Sequence, residues 1–247
     1  MSMSVSIVSP KQHFSAVIVA ITAKEVSGAL RSSVHDALVR YSKGVDVAAF
    51  FKGAHFTGKA GQSCLQIMNG TPVVFVGLGE LDKKPTENME TLRRALGSGY
   101  NQMQNLTPKD ILVCVPEEEL LSMSRSTYLE QVATLLCLAS YQFNDFKKDK
   151  KTWSPALYIA DTGKGDVAAL DAGAIIGNAT NVARRLADTP PNHMYPAILA
   201  ERARQIASEH KLTYTVIEQE EAREMGMGCF YSVAKGSENP GKIVILE

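Results

Sequence analysis

The sequence predicts an α/β fold, and two observations carry that prediction. The first is a series of short apolar runs, rich in Val and Ile and bounded by Gly, Pro or charged residues. We expect β-strands at 15–21, 73–76, 111–115, 156–160, 212–217 and 242–246. The second observation is that amphipathic helical segments alternate with these runs. Because the apolar runs are continuous rather than alternating, they indicate strands that are covered on both faces by helices.

Three segments between the strands have the spacing of apolar residues that an α-helix requires. The first helix is expected to begin near Thr127, where the letters TYLE fit a capping box completed by Glu130. Its apolar face would consist of Leu129, Val132, Ala133 and Leu136. The second is expected from Asp166 to Ala187. Its apolar stripe would be Ala168, Ala172, Ile175, Ala179, Val182 and Leu186. The third begins at Pro196, whose fixed φ angle suits a first helical turn. Its inner face would be Leu199, Ala203 and Ile206.

The overall charge of the chain narrows the classes of partner that it could bind. The 247 residues suffice for one large domain or two small ones, and 45% of them are apolar. Lys and Arg number 26, as do Asp and Glu, so the net charge is zero. That balance argues against a chain built to bind DNA, RNA or anionic membranes. The local basic run at Phe146–Lys151 is typical of a solvated linker.

The cysteines and the apolar runs bear on the cellular compartment. Cys64, Cys114, Cys137 and Cys229 are widely scattered and form no CxxC pair, which indicates a reduced, intracellular protein. No apolar run reaches the roughly 18 residues needed to span a bilayer. Residues 14–23 could form the apolar part of a signal peptide, but they follow a Ser-rich start with one lysine and fit a buried strand equally well.

The stretch from Val182 to Pro196, VARRLADTPPNHMYP, interrupts the helical pattern abruptly and could be a hinge, a metal site or a joint between domains. Pro190 and Pro191 disfavour helix in the residues before them, and Pro196 can start a new helix. We therefore expect the main domain joint at the long helix and its Pro-rich end, 166–196.

The residue types that usually form metal and nucleophile sites do not occur here at the expected spacings. The five histidines include no HxxxH pair and no HExxH motif, and His193, beside Asp188 in a loop, fits a hydrogen-bonded structural residue better than a metal ligand. The acidic segment 217–224 is typical of a solvated helix face. No GxSxG elbow is present in the sequence. The shorter GSG at Gly97–Gly99 lies inside an expected helix.

Three glycine-containing segments resemble phosphate loops only in part. In VFVGLGELDKK, 74–84, a GxG follows a strand directly, but the third glycine of the dinucleotide motif is missing and Glu80 and Asp82 would repel phosphate. The segment FTGKAGQS, 56–63, lacks the P-loop spacing, and DTGKGD, 161–166, fits a turn before a helix. We interpret the GxG as a tight turn after a strand.

Six segments together resemble the leucyl aminopeptidases, also called cytosol aminopeptidases, in their order and spacing. They are FTGKAGQS, VVFVGLGELDK, LRRALG, LASYQFNDFKKDKK, NVARRLADTPPNHMYP and MGMGCFYSVAKGSENP. The match covers most of 56–247, whereas the first 50 residues resemble the family only in their pattern.

The resemblance implies a macro-domain-like N-terminal α/β domain at 1–160, a connecting helix at 161–188 and the opening β/α elements of a second α/β domain, the catalytic domain, at 189–247. It also implies an enzyme that uses two divalent ions, zinc or manganese, to release N-terminal residues from peptides with a leucine-type preference. Such enzymes assemble as homo-hexamers, mostly in the cytoplasm. Within this plan, residues 189–196 are the entry loop into the catalytic domain, and His193 is not at a ligand position.

The family's metal ligands and its assisting lysine and arginine lie beyond the segment that matches VAKGSENPGKIVILE. We therefore assign no catalytic, cofactor-binding or metal-ligating residue to this sequence, expect no metal bound to it alone and expect the chain alone to be inactive. The apolar strand at 242–246 is expected to be a buried parallel strand, which favours a longer protein.

Two alternatives stay open. One is a truncated, non-catalytic paralogue that acts as an assembly or regulatory subunit. The other is a ligand-binding module of the macro-domain type, for a nucleotide-like molecule.

Overall fold

A computed structural model describes residues 5–8, 12–82, 84–149, 152–160 and 166–247. The chain divides into two compact units, Met1–Asn181 and Val182–Glu247, and the division falls within a helix. None of the helices in the described part of the chain has the length and hydropathy needed to cross a bilayer. Residues 161–165 of the turn predicted at 161–166 lie outside the described residues, as do Lys150 and Lys151.

A six-stranded sheet forms the centre of the first unit. Its strands are β1 (Val5–Val8), β2 (Ala16–Ile21), β3 (Ser63–Met68), β4 (Thr71–Gly77), β5 (Asp110–Cys114) and β6 (Ala156–Ala160). Their spatial order is β1-β6-β5-β2-β4-β3, and all neighbours are parallel except the antiparallel pair β3 and β4. The α/β prediction is therefore confirmed.

Helices cover both faces of this sheet, as the continuous apolar runs predicted. The helices of the first unit are α1 (Ala23–Ser27), α2 (Ser32–Tyr41), α3 (Val47–Gly53), α4 (Pro85–Met103), α5 (Arg125–Ala139) and the first part of α6 (Val167–Asp188). Along β2, Ile18 and Ala20 pack with α4 and α5, whereas Val17, Val19 and Ile21 pack with α2 and α3. Every side chain of β2 is fully buried, so 16–21 is a central strand.

Two strands were not predicted, and both lie at the edges of the sheet. In β3, exposed and half-buried residues alternate and only Met68 is buried, so the strand lacks the continuous apolar run that identified the others. It joins β4 through Asn69 and Gly70, which both have positive φ angles of 49° and 82°. An Asn-Gly pair between two strands is the usual sequence of a two-residue hairpin turn, and this signal would have located β3.

The first predicted helix begins earlier than expected. The N-cap of α5 is Ser124, whose hydroxyl accepts a hydrogen bond from the Thr127 amide at 3.3 Å. Thr127 is therefore the third residue of the helix, and Glu130 plays no part in the cap. The predicted apolar face is confirmed, because Leu129, Val132, Ala133 and Leu136 are all buried.

The packed face of α6 differs from the predicted stripe. Its buried residues are Ala169, Leu170, Gly173 and Gly177. Ile175 and Val182, at the centre of the predicted stripe, are 69% and 48% exposed. The reason is that the glycines allow α6 to approach α5 closely. A Cβ on Gly173 would collide with the Glu130 carbonyl, and one on Gly177 would collide with Cys137.

The second unit contains a two-stranded antiparallel sheet and helices beside it. Its elements after α6 are α7 (Pro196–His210), β7 (Tyr214–Glu218), α8 (Gln219–Glu224), α9 (Gly228–Ala234) and β8 (Lys242–Leu246). The predicted start of α7 is confirmed, but Leu199 is 46% exposed and the buried residues are Ala200 and Ala207. The prediction of a buried parallel strand at 242–246 is wrong, because β8 pairs antiparallel with β7 and its last two residues are exposed.

Candidate functional site

The glycine pair after β4 is the first candidate site, because a GxG at a strand end can bind phosphate through its amides. In the structure these amides are already occupied. The amides of Gly77, Leu78 and Gly79 donate to the carbonyls of Gln62, Ile21 and Gly58 at 2.8, 2.9 and 2.7 Å. None of these three amides remains for a phosphate, so the geometry supports the interpretation as a tight turn.

The second glycine segment, FTGKAGQS, packs against the first and accepts hydrogen bonds from it. The Gln62 side-chain oxygen accepts hydrogen bonds from the amides of Thr57 and Lys59 at 3.0 and 3.2 Å, which closes the loop. A Cβ on Gly77 would overlap the Lys59 carbonyl, so the two loops can meet only if position 77 has no side chain. The two segments therefore form one packed structural corner beside the ends of β2 and β4.

The joint at 189–196 has the geometry that its prolines predicted. Helix α6 ends at Asp188, and the amides of His193 and Met194 both donate to the Pro190 carbonyl at 2.8 and 3.0 Å. Helix α7 begins with Pro196 in its first turn. The turn is thus held by its own backbone.

Metal ions in proteins are usually held by clusters of His, Cys, Asp and Glu side chains. Within the residues that the structure describes, no three His, Cys, Asp or Glu side chains come together in a group that could hold a metal ion. The residues present therefore do not fit a two-metal centre, and no reaction step through a metal can be derived from them.

None of the four cysteines forms a disulfide within the part of the chain that the structure describes, and three of the thiols are shielded from solvent to different degrees. Burial raises the pKa of Cys64 and Cys137 to about 11 and that of Cys114 to about 12. A thiol is a nucleophile only as the thiolate. These three side chains are therefore protonated at neutral pH and serve as small apolar groups.

A cavity of about 170 Å³ lies at the carboxyl ends of β5 and β6, and we call it the carboxyl-edge cavity. Its polar lining comes from three separate segments. The lining residues that matter for its chemistry are Ser33, Val115, Glu117, Glu118, Glu119, Arg125, Leu129 and Ile159. Sequence reasoning missed this site, because its residues are brought together only by the fold.

Charge in the carboxyl-edge cavity is uneven. Arg125 donates from Nη1 to both carboxylate oxygens of Glu118 at 3.0 and 3.2 Å, so these two charges offset each other. Glu117 and Glu119 are exposed at the rim. The rim is therefore acidic.

Comparison with protein families gives two matches, in order along the chain. Residues 18–150 match the N-terminal domain of the cytosol aminopeptidase family, and residues 181–247 match its catalytic domain.

Solved structures share the fold. A mutant of tomato leucine aminopeptidase is similar with a TM-score of 0.82 at 20% identity, over 98% of this chain and 50% of that one. The bottromycin maturation enzyme BotP is similar with a TM-score of 0.73 at 18% identity, over 95% of this chain and 46% of that one. BotP in complex with Mn gives a TM-score of 0.71 at 18% identity, over 95% and 45%. This chain thus spans about half the length of each of these structures.

The family match over most of the first unit, the match to the same family's catalytic domain after it, and the shared fold agree with one another, and the chain belongs to the cytosol aminopeptidase family.

Proposed function

We propose that this chain provides the N-terminal domain and the first part of the catalytic domain of a metal-dependent aminopeptidase. The whole protein would release N-terminal residues from peptides, with a leucine-type preference. The observation that carries this proposal is the succession of two domain matches to one peptidase family, in the order N-terminal then catalytic.

We further propose two divalent ions, zinc or manganese, as the cofactors of the whole protein. The family resemblance and the presence of Mn with BotP support this part of the proposal. The ions would polarise a peptide carbonyl and activate water. The described side chains of this chain do not form their site, so the role we assign to the chain is architectural.

The described residues contribute a rigid frame to such an enzyme. The joint at 189–196 fixes where α7 begins, and Tyr214 of β7 donates its hydroxyl to the Ala200 carbonyl of α7 at 3.0 Å. That bond joins the first helix and the first strand of the second unit. A homo-hexamer in the cytoplasm is the assembly and location that the family resemblance leads us to propose.

The test compares the native protein with residues 1–247 in hydrolysis of a leucine amide. We expect the native protein to be active, to lose activity with a chelator and to regain it with Mn²⁺ or Zn²⁺. We expect residues 1–247 to be inactive with either ion. Chelator-sensitive activity that purifies with residues 1–247 would overturn the architectural role. An inactive native protein with a mass near 26.8 kDa would instead identify a non-catalytic subunit.

Neither the GxG turn nor the carboxyl-edge cavity favours the alternative of a nucleotide-binding module. The GxG amides already donate to carbonyls, and the carboxyl-edge cavity is smaller than the roughly 300–1,000 Å³ of usual ligand pockets. We expect ADP-ribose to leave the unfolding temperature of the chain unchanged. An unfolding temperature that increases with the concentration of ADP-ribose would support the alternative.

A further inference from the structure

The carboxyl-edge cavity lies where an α/β sheet usually binds its ligand. After β2 the chain forms β3 and β4 on one side of β2, and it then crosses back over β2 to form β5 on the other side. This reversal creates a switch point between β2 and β5, next to the β5 and β6 ends that line the cavity. In open α/β sheets, ligands bind outside the carboxyl ends of the strands at such a point.

One wall of the cavity carries hydrogen-bond donors that lack acceptors. Ser33 is only 7% exposed and lines the cavity, yet its hydroxyl has no hydrogen-bond partner among the described residues. Ser33 is also the second residue of α2, and no side chain caps this helix at Arg31. The first-turn amides of a helix have no partner within it and carry partial positive charge. This wall is suited to a carboxylate.

A buried ion pair holds that wall in place. Arg31 donates to the Ala20 carbonyl at 2.6 Å and forms an ion pair with Glu25 at 2.5 Å, and both side chains are about nine-tenths buried. Glu25 in turn accepts hydrogen bonds from the amide and hydroxyl of Thr22 at 2.9 Å. The start of α2 is thereby fixed to the carboxyl end of β2, which positions Ser33.

Another part of the rim carries negative charge. Glu118 is offset by Arg125, whereas neither Glu117 nor Glu119 has a counterion among the described residues. Two such carboxylates would repel a free phosphate and attract an ammonium group. The cavity therefore favours a zwitterion over a simple anion.

Part of the described lining is apolar, and the volume limits the size of the ligand. Val115, Leu129 and Ile159 are all buried residues that line the cavity. A cavity of about 150 Å³ holds a molecule the size of benzene. A volume of about 170 Å³ thus suits a small apolar side chain.

We propose that the carboxyl-edge cavity binds an apolar α-amino acid as its zwitterion. The Ser33 hydroxyl and the first turn of α2 hold the carboxylate, Glu117 and Glu119 hold the ammonium group, and the apolar lining holds the side chain. Amino acids of this class are what the proposed aminopeptidase would release. Binding would depend on the cavity alone and would not require that activity.

The test is calorimetric titration of residues 1–247 with L-leucine and with its two halves. 4-Methylpentanoate lacks the ammonium group, isoamylamine lacks the carboxylate, and inorganic phosphate represents a plain anion. We expect saturable binding of leucine and at least tenfold weaker binding of the other three. Absence of leucine binding, or equal binding of 4-methylpentanoate or phosphate, would overturn the proposal.

Variants of the lining residues test whether leucine binds in this cavity. Ser33→Ala should weaken leucine binding about threefold to tenfold, the usual value of one hydrogen bond. The unfolding midpoint without ligand should stay the same or rise, because the lost hydroxyl had no partner.

The exposed double variant Glu117→Gln with Glu119→Gln should weaken binding about tenfold, and Ser98→Ala on the exposed face of α4 is the matched control. Unchanged affinity in both cavity variants would place the ligand elsewhere and refute the assignment.

Discussion

The Cα of Gly173 in α6 lies against the backbone carbonyl of Glu130 in α5, and no side chain fits between them. Four residues later, Gly177 meets α5 in the same way at Cys137. Thr134 of α5 also lies in the contact, because its hydroxyl is 2.8 Å from the Glu130 carbonyl and 3.1 Å from the Gly173 carbonyl and shares its one proton between them. The two glycines therefore set the distance between these helices in the first unit.

Gly173→Ala is expected to lower the free energy of unfolding by about 1–3 kcal/mol, because overpacking against backbone forces the helices apart. The matched control is Gly97→Ala in α4, where an added Cβ would meet open space. That control should raise the free energy of unfolding by about 0.5–1 kcal/mol through helix propensity. Urea unfolding of both variants measures the difference, and equal effects would contradict the close packing of α5 and α6.

Arg31→Ala is expected to cost about 3–5 kcal/mol of the free energy of unfolding, because it leaves Glu25 buried without its partner. The matched control is Arg94→Ala. Arg94 also bonds a glutamate, Glu90, at 2.8 Å, but its side chain is 81% exposed. Loss of an exposed pair should lower the free energy of unfolding far less than loss of the buried pair.

A double-mutant cycle separates the pair from the rest of each side chain. Adding Glu25→Ala to Arg31→Ala should cost far less than Glu25→Ala costs alone, since no unpaired charge would then be created. Additive effects would show that the two residues do not act as a pair.

The strands that are buried on both faces could be predicted, because their sequences are continuous apolar runs. The segment 16–21 is such a run and forms the central strand β2. Strand β3 was missed because an edge strand with one solvated face alternates, and Ile67 there is 52% exposed. For β8, the same apolar pattern did not lead to burial in this chain, so the run alone did not determine the partner strand.

The packed faces of the helices and the carboxyl-edge cavity were harder to predict from the sequence than the strands. In α6 the contact is made by the smallest residues, and hydrophobicity therefore pointed to Ile175 instead of Gly173. Close packing through glycine leaves no apolar signal. The carboxyl-edge cavity needs Ser33, Glu117 and Ile159 together, which are far apart in the chain and unremarkable individually.

Stability is expected to fall as the pH rises above about 9, because the buried thiols resist ionisation only in the folded state. Burial raises the pKa of Cys114 to about 12, whereas an unfolded cysteine has a pKa of about 8.5. Between these values the unfolded state binds fewer protons than the folded state, so the free energy of unfolding declines with pH. The loss due to Cys114 at pH 10 should be about 2 kcal/mol.

Guanidinium unfolding at pH 7.5 and pH 10 measures this loss. Cys114→Ala should reduce the difference between the two pH values by about that amount, even though the variant is less stable at both. Cys229→Ala is the control, because Cys229 is exposed. A Cys114→Ala variant with an unchanged pH dependence would show that this thiol is not protected by burial.

Limited trypsin digestion should cut first within the basic run 147–151. Residues 145–149 are exposed and belong to neither a helix nor a strand. Arg184 and Arg185 are exposed as well, but they lie inside α6 and require local unfolding before a protease can bind them. Mass spectrometry of the earliest fragments identifies the site.

Replacing every lysine of 147–151 by glutamine should slow this first cut without changing the unfolding midpoint. A first cut at Arg184 or Arg185 would mean instead that the C-terminal part of α6 opens more readily than the basic run, and would contradict the stable helix on which the joint at 189–196 depends.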